Sequence, residues 1–131
     1  MQIVTAAILF KDGRILIAKR KKGDHLENKW EFPGGKLEPG ETPEECLRRE
    51  LFEEFSIETR VGEFVCSSRY TYRHGCIELR AFKVEYLSGR LTIHDHEEIA
   101  WALPGELGNY DFAEADIPIV KLIRTSACFV L

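Results

Sequence analysis

Residues 30–57 read "WEFPGGKLEPGETPEECLRRELFEEFSI", Trp30 to Ile57, and carry eight glutamates and three glycines. Carboxylates this close repel one another, so either solvent or a divalent cation must offset the repulsion. The same stretch holds the best-marked helix of the chain. Thr42 is an N-cap candidate, Pro43 suits the first helical position, and Glu45 completes a Thr-x-x-Glu capping box. Leu47, Leu51 and Phe55 recur at i, i+4 and i+8, an apolar stripe that needs a sheet to cover it. Upstream, Pro33, Gly34, Gly35, Pro39 and Gly40 interrupt any periodicity, so "WEFPGGKLEPGE" reads as a structured loop with a short strand at best.

Working outward, "IVTAAILF" and "RILIAKR" read as strands about a turn at Asp12-Gly13. "KKGDHLENK" is a polar loop. "VGEFVCSSRYTY" and "CIELRAFKVEYL" read as a hairpin turning near His74-Gly75, and "EIAWAL" as a further short strand. "ADIPIVKLIRTSA" has apolar residues at 117, 119, 120, 122 and 123, the pattern of a terminal helix with Pro118 in its first turn. Strands on both sides of one helix, followed by more strands and a last helix, predict an α/β or α+β sandwich.

The chain has 131 residues, the size of a single domain spanning 1–131, and 44% apolar composition, enough for a sizeable core. The net charge is −4, from 18 basic and 22 acidic residues, which argues against a nucleic-acid partner. The one basic cluster is "KRKK" at 19–22. No apolar run approaches the roughly 18 residues of a membrane span, and the N-terminal stretch lacks the basic start of a signal peptide. Cys46, Cys66, Cys76 and Cys128 form no CxxC pair. They read as small, mostly buried residues of a reduced, cytoplasmic protein, with a reactive Cys46 as the alternative.

Glu50, Glu53 and Glu54 lie at i, i+3 and i+4, so they share one surface of the helix. A solvated acidic face would account for them. A metal site accounts also for the glycines next door, which let backbone carbonyls approach a ligand. Glutamates plus a carbonyl make an all-oxygen donor set, suited to Mg2+ or Mn2+ rather than zinc. Magnesium with few protein ligands completes its shell with water and phosphate oxygens, so a phosphorylated substrate follows.

The run from Gly35 through Glu41 to Arg49-Glu50-Leu51-Phe52-Glu53-Glu54-Phe55-Ser56-Ile57 resembles the Nudix box, Gx5Ex7REUxEExGU with U aliphatic. One position departs: Ser56 stands where the box has glycine, at a helix end that favours a left-handed backbone. The resemblance, which extends through "WEFPGGK" to nearly the whole chain, is to MutT-type members. It implies an α/β/α sandwich around a mixed β-sheet and metal-dependent hydrolysis of nucleoside diphosphates linked to another group. It also implies that Gly34 (by its carbonyl), Glu50, Glu53 and Glu54 bind the metal, and that Glu50 orients or deprotonates the attacking water. Arg49 would hold the glutamates by charge-assisted hydrogen bonds, with Glu41 in the same network or else a plain loop acid. A further acid from a late loop falls at Asp95, with Glu98 as the alternative. Arg20 and Lys36 would touch phosphates, unless they are ordinary surface charges.

The products implied are a nucleoside monophosphate and pyrophosphate. For the base, the resemblance points to Asp116, whose other reading is a helix N-cap. Phe32 and Tyr70 are candidates to pack on the base, with core packing the alternative for Phe32. "ADIP" with "WEFPGGKLEP" most resembles the CTP pyrophosphohydrolase branch. Alternatives are a hydrolase of oxidised dGTP, a nucleotide-sugar pyrophosphatase, or a nucleotide sensor without catalysis. A monomer or a homodimer is expected, with a small nucleotide and no membrane as partner.

Overall fold

The first two strands alternate cleanly, and that alternation builds both cores of the molecule. In this computed structural model, which describes residues 1–73 and 75–126, β1 (Gln2–Lys11) and β2 (Arg14–Arg20) meet at a tip of Asp12 and Gly13. Both tip residues have positive φ, 53° and 78°, as a tight two-residue hairpin requires. Odd and even positions then bury on opposite faces. Ala6, Ile8, Ile15 and Ile17 face one core, while Ala7, Leu9, Leu16 and Ala18 face the other.

Four further strands complete one sheet: β3 (Trp30–Glu31), β4 (Glu58–Tyr72), β5 (Gly75–Ser88) and β6 (His96–Ala102). The order is β3-β2-β1-β5-β4, with β6 pairing β2. β1 and β5 run parallel from Gln2↔Ile77 to Phe10↔Glu85, and the other pairs are antiparallel, so the sheet is mixed. β1 and β2 pair only near their tip. Beyond it the 33–37 segment lies along β1, through Ala7 N–H to the Pro33 carbonyl (2.7 Å) and Thr5 N–H to the Gly35 carbonyl (2.8 Å).

Helix α1 (Pro43–Phe55) covers one face with Leu47, Leu51 and Phe55. Its capping box forms as expected, with Thr42 Oγ1 accepting from Glu45 N–H and Glu45 Oε1 accepting from Thr42 N–H. Helix α2 (Ile117–Thr125) covers the other face with Ile119, Val120 and Ile123. The result is the expected α/β/α sandwich. α2 starts at Ile117 with Pro118 in its first turn, as the pattern suggests, and Glu114–Asp116 forms a 3₁₀ turn ahead of it. The expected turn residue His74 and the thiol of Cys128 lie outside the described residues. No helix among the described residues is long and apolar enough to cross a membrane.

Leu51 is fully buried between α1 and the sheet. Leu51→Ala should cost about 2–5 kcal/mol, seen as a lower urea midpoint with an unchanged slope. A loss below about 1 kcal/mol would mean that the helix packs more loosely than described.

Candidate active site

One cavity of about 880 Å³ brings most of the singled-out residues together. Glu50, Glu54 and Asp95 line it, as do Gly34, Gly35, Lys36, Arg20, Phe32 and Asp116. Glu53 and Glu98 do not: Glu53 is held on α1 by Arg49 at 3.1 Å, and Glu98 sits on β6 paired with Lys19, 3.7 Å away. Tyr70 is also absent from the lining. It is exposed and rests on the ring of Tyr72 (4.6 Å), and Tyr72 occupies the wall instead. The aromatic expected from position 70 is therefore supplied by position 72. The Tyr72 hydroxyl accepts from Ala115 N–H (2.9 Å) and so ties β4 to the turn before α2.

The loop and the helix are joined by one guanidinium. Arg49 donates to both oxygens of Glu41 (2.7 and 3.0 Å), to Glu50 (2.8 Å), to Glu53 (3.1 Å) and to the Lys36 carbonyl (3.3 Å). These bonds to Arg49 hold the Glu41 carboxyl down at about 2. A Cβ at position 35 would lie 2.4 Å from the Glu50 carboxyl carbon, so any other residue there would displace that carboxylate. At Gly34 it would lie 2.0 Å from the Thr5 carbonyl oxygen. Thr5 Oγ1 (3.1 Å) and Cys46 Sγ (3.5 Å) both donate to the Gly35 carbonyl. Cys46 is buried, and burial pushes its thiol above the ordinary value, so it serves the loop as a donor rather than as a nucleophile. The Gly34 carbonyl takes no part in the bonds to β1, which use Pro33 and Gly35.

Among the described residues, no three acidic, His or Cys side chains already converge as a closed cage for an ion. Arg49 holds Glu50 and Glu53 in its place. The donors nonetheless fit a hard cation. Glu54 Oε2 is buried with no hydrogen-bond partner. Burial, then the charge of Glu50, pushes the Glu54 carboxyl up to about 9, with Glu31 and Asp95 adding to the effect. Burial raises Glu50 as well. Two half-buried carboxyls this close oppose each other's ionisation, which a divalent ion would relieve, and every donor is oxygen.

Arg20 is less free than expected. Its Nε and Nη2 donate to Asp24 (2.9 and 2.7 Å) and its Nη1 to Glu31 (2.8 Å). The other Glu31 oxygen meets His96 Nε2 at 2.9 Å, and the His96 ring stacks on Phe55 (5.4 Å). Lys21 pairs with Asp95 at 3.9 Å, so the basic run at 19–22 is answered largely by acids rather than left as a groove. Asp116 is buried and accepts from Phe32 N–H (2.9 Å); it stands at the N-cap position of α2, but its side chain makes no cap bond there. Burial, with the nearby Glu31 charge, raises its carboxyl well above the ordinary value. Phe32 both stacks on Phe112 in the core (5.1 Å) and lines the cavity. Glu31, Tyr72 and His96 were not singled out from the sequence. The parity of Tyr72 with Tyr70 and the position of Glu31 beside Phe32 were the available signals.

A family model described as a NUDIX domain matches residues 4–122. The CTP pyrophosphohydrolase of Escherichia coli K12 is 42% identical, across 90% of this chain and 87% of that protein. A Mycobacterium tuberculosis protein named putative 8-oxo-dGTP diphosphatase 2 is 35% identical, across 95% of this chain and 89% of its own length. Among solved structures, that of the E. coli ORF135 protein in solution superposes with a TM-score of 0.83 at 41% identity, covering 92% of this chain and 86% of that one.

Because the Glu54 carboxyl is raised, the folded protein holds that proton more tightly than the unfolded chain does. Its contribution is complete below the ordinary carboxylate range and is lost as pH rises towards about 9. In protein stripped of divalent ions, the melting temperature should therefore fall between pH 5 and 9 more steeply than in Glu54→Gln. Equal slopes in a thermal-melt series would show that Glu54 is not the strained group.

Proposed function

The chain belongs to the NUDIX family and is a Nudix hydrolase, and from that premise we propose that it cleaves cytidine-type nucleoside triphosphates to the monophosphate and pyrophosphate. The observation that carries this reading is that Glu50, Glu54 and Asp116 line a single cavity. Phosphate chemistry and base recognition then fall within one substrate's length.

Glu50, Glu53 and Glu54, with the Gly34 carbonyl and Asp95, would hold Mg2+, for which Mn2+ can substitute. When bound, the ion neutralises phosphate oxygens and lowers the pKa of bound water. Glu50 is placed to orient the attacking water and accept its proton, because Gly35 leaves its carboxylate room on the cavity side and Arg49 fixes it from the other. Arg49 and Glu41 keep the acidic residues in register and touch no substrate. Lys36 is the cation available to phosphates, since it lines the cavity with no ion pair among the described residues. Arg20, engaged by Asp24 and Glu31, holds Glu31 in position instead.

The base edge meets two carboxyls of different character. Burial and the Glu31 charge favour the protonated form of Asp116, in which it can donate to a ring nitrogen. Glu31, held by Arg20 and His96, stays an acceptor for an exocyclic amine. An acceptor beside an amine donor is an edge that cytosine and adenine both present, and the likeness to a CTP pyrophosphohydrolase favours cytosine. A neutral carboxyl also accepts, so Asp116 complements the carbonyl and N–H of an oxidised guanine as a second reading.

The test is pyrophosphate release across ribo- and deoxynucleoside triphosphates, including oxidised guanine and methylated cytosine. Cytidine nucleotides should rank first, and Asp116→Asn should reorder the ranking more than it lowers the top rate. A ranking led by oxidised guanine selects the second reading. No turnover of any triphosphate would point to nucleotide sugars or to a sensor. Glu53→Gln, at a site where 54% of the side chain is exposed, should lose about 100-fold or more in kcat with an unchanged melting temperature.

A further inference from the structure

Two departures from the family pattern sit next to each other in space. Ser56 replaces the box glycine, and the late-loop acid is Asp95, one methylene shorter than a glutamate. Ser56 keeps the left-handed backbone that the glycine would supply, with φ 60° and ψ 34°. An L-residue is sterically strained there, so something must offset the strain.

The hydroxyl of Ser56 gives the reason. It receives a hydrogen bond from Thr92 Oγ1 (3.0 Å) and lies 3.0 Å from His94 Nε2, and Thr92 and His94 are themselves 3.0 Å apart. The backbone adds to this, since Thr92 N–H donates to the Phe55 carbonyl at 2.9 Å. Gly89 passes so close that a Cβ would lie 2.6 Å from the Ser56 carbonyl oxygen, and the Tyr86 hydroxyl donates to the Gly89 carbonyl. On the other side of Asp95, the His96 ring stacks on Phe55. Asp95 is thus suspended between two anchors on the same end of α1, the end that carries Glu53 and Glu54.

We propose that Ser56 is a positioning residue. Its hydroxyl, with Thr92 and His94, draws the 89–95 segment onto the end of α1, and so brings a short acid within reach of the cation and phosphates. The inference rests on the reading of Asp95 as part of the site. A glycine at position 56 would relax the backbone but release the loop, and a glutamate at position 95 would span the gap without the clamp. The two substitutions should therefore compensate.

The experiment compares the full chain with Ser56→Gly, Thr92→Val, Asp95→Glu, Asp95→Asn and the Ser56→Gly/Asp95→Glu double variant. Amide hydrogen exchange is read in chelator-treated protein, and kcat, KM and half-saturating Mg2+ in the presence of the ion. Ser56→Gly should keep or raise the melting temperature, while amides 91–95 exchange faster and half-saturating Mg2+ rises about tenfold, as for other groups that orient a metal ligand. Thr92→Val should behave likewise, and the double variant should recover the original Mg2+ requirement. Unchanged exchange and Mg2+ requirement in Ser56→Gly would overturn the proposal, leaving the hydroxyl as a helix cap only. A double variant no better than Ser56→Gly would overturn the compensation. Full activity in Asp95→Asn would instead remove Asp95 from the site and the clamp's purpose with it.

Discussion

The arrangement depends on one guanidinium placed among carboxylates. Arg49 reaches Glu38, Glu41, Glu50 and Glu53, with charged atoms between 2.7 and 3.3 Å apart. Without that charge, the acidic loop and the acidic face of α1 would repel each other where they must touch. With it, Glu41 is held ionised and the 36–41 loop is pulled onto the helix. Arg49 cannot neutralise everything, however. Glu54 turns away from it into the cavity and keeps a buried, unpartnered oxygen. The local network thus satisfies the acids that frame the site and leaves frustrated the one that faces it, which is the physical sense in which the site is prepared for a cation.

The two ends of the cavity are linked through Glu31. It is gripped by Arg20 and His96, its charge bears on both Glu54 and Asp116, and His96 stacks on Phe55 one residue beyond Glu54. The Asp116 end and the Glu54 end of the cavity therefore share one connected network. In the proposed reading α1 would supply the reacting end and β3 the recognising end, with the start of β6 joining them. The mixed sheet makes this possible because β1 and β2 separate beyond their tip and admit the glycine segment alongside β1, under α1.

What the sequence made legible was what is decided locally. Thr42, Pro43 and Glu45 set the start of α1 within a few residues, and the i, i+3, i+4 spacing put three carboxylates on one face before any tertiary contact was known. Apolar runs about the Asp12-Gly13 turn showed β1 and β2, and the order of strands and helices gave the sandwich. What stayed hidden is what depends on contacts that span the chain. Tyr72 rather than Tyr70 enters the cavity because its hydroxyl meets Ala115, 43 positions away. Asp116 spends its side chain on Phe32, 84 positions back, instead of capping α2. Arg20 is claimed by Asp24 and Glu31, and the importance of Glu31 rests on His96, which is 65 positions distant. No periodicity reports such pairings.

The measurement that tests the account most directly is a 31P NMR time course of the protein with CTP, with and without Mg2+. The account predicts CMP and pyrophosphate as the products, formed only when the ion is present. Orthophosphate as the first product, or turnover that persists in excess chelator, would contradict the assignment of the carboxylate cluster as the centre of the chemistry.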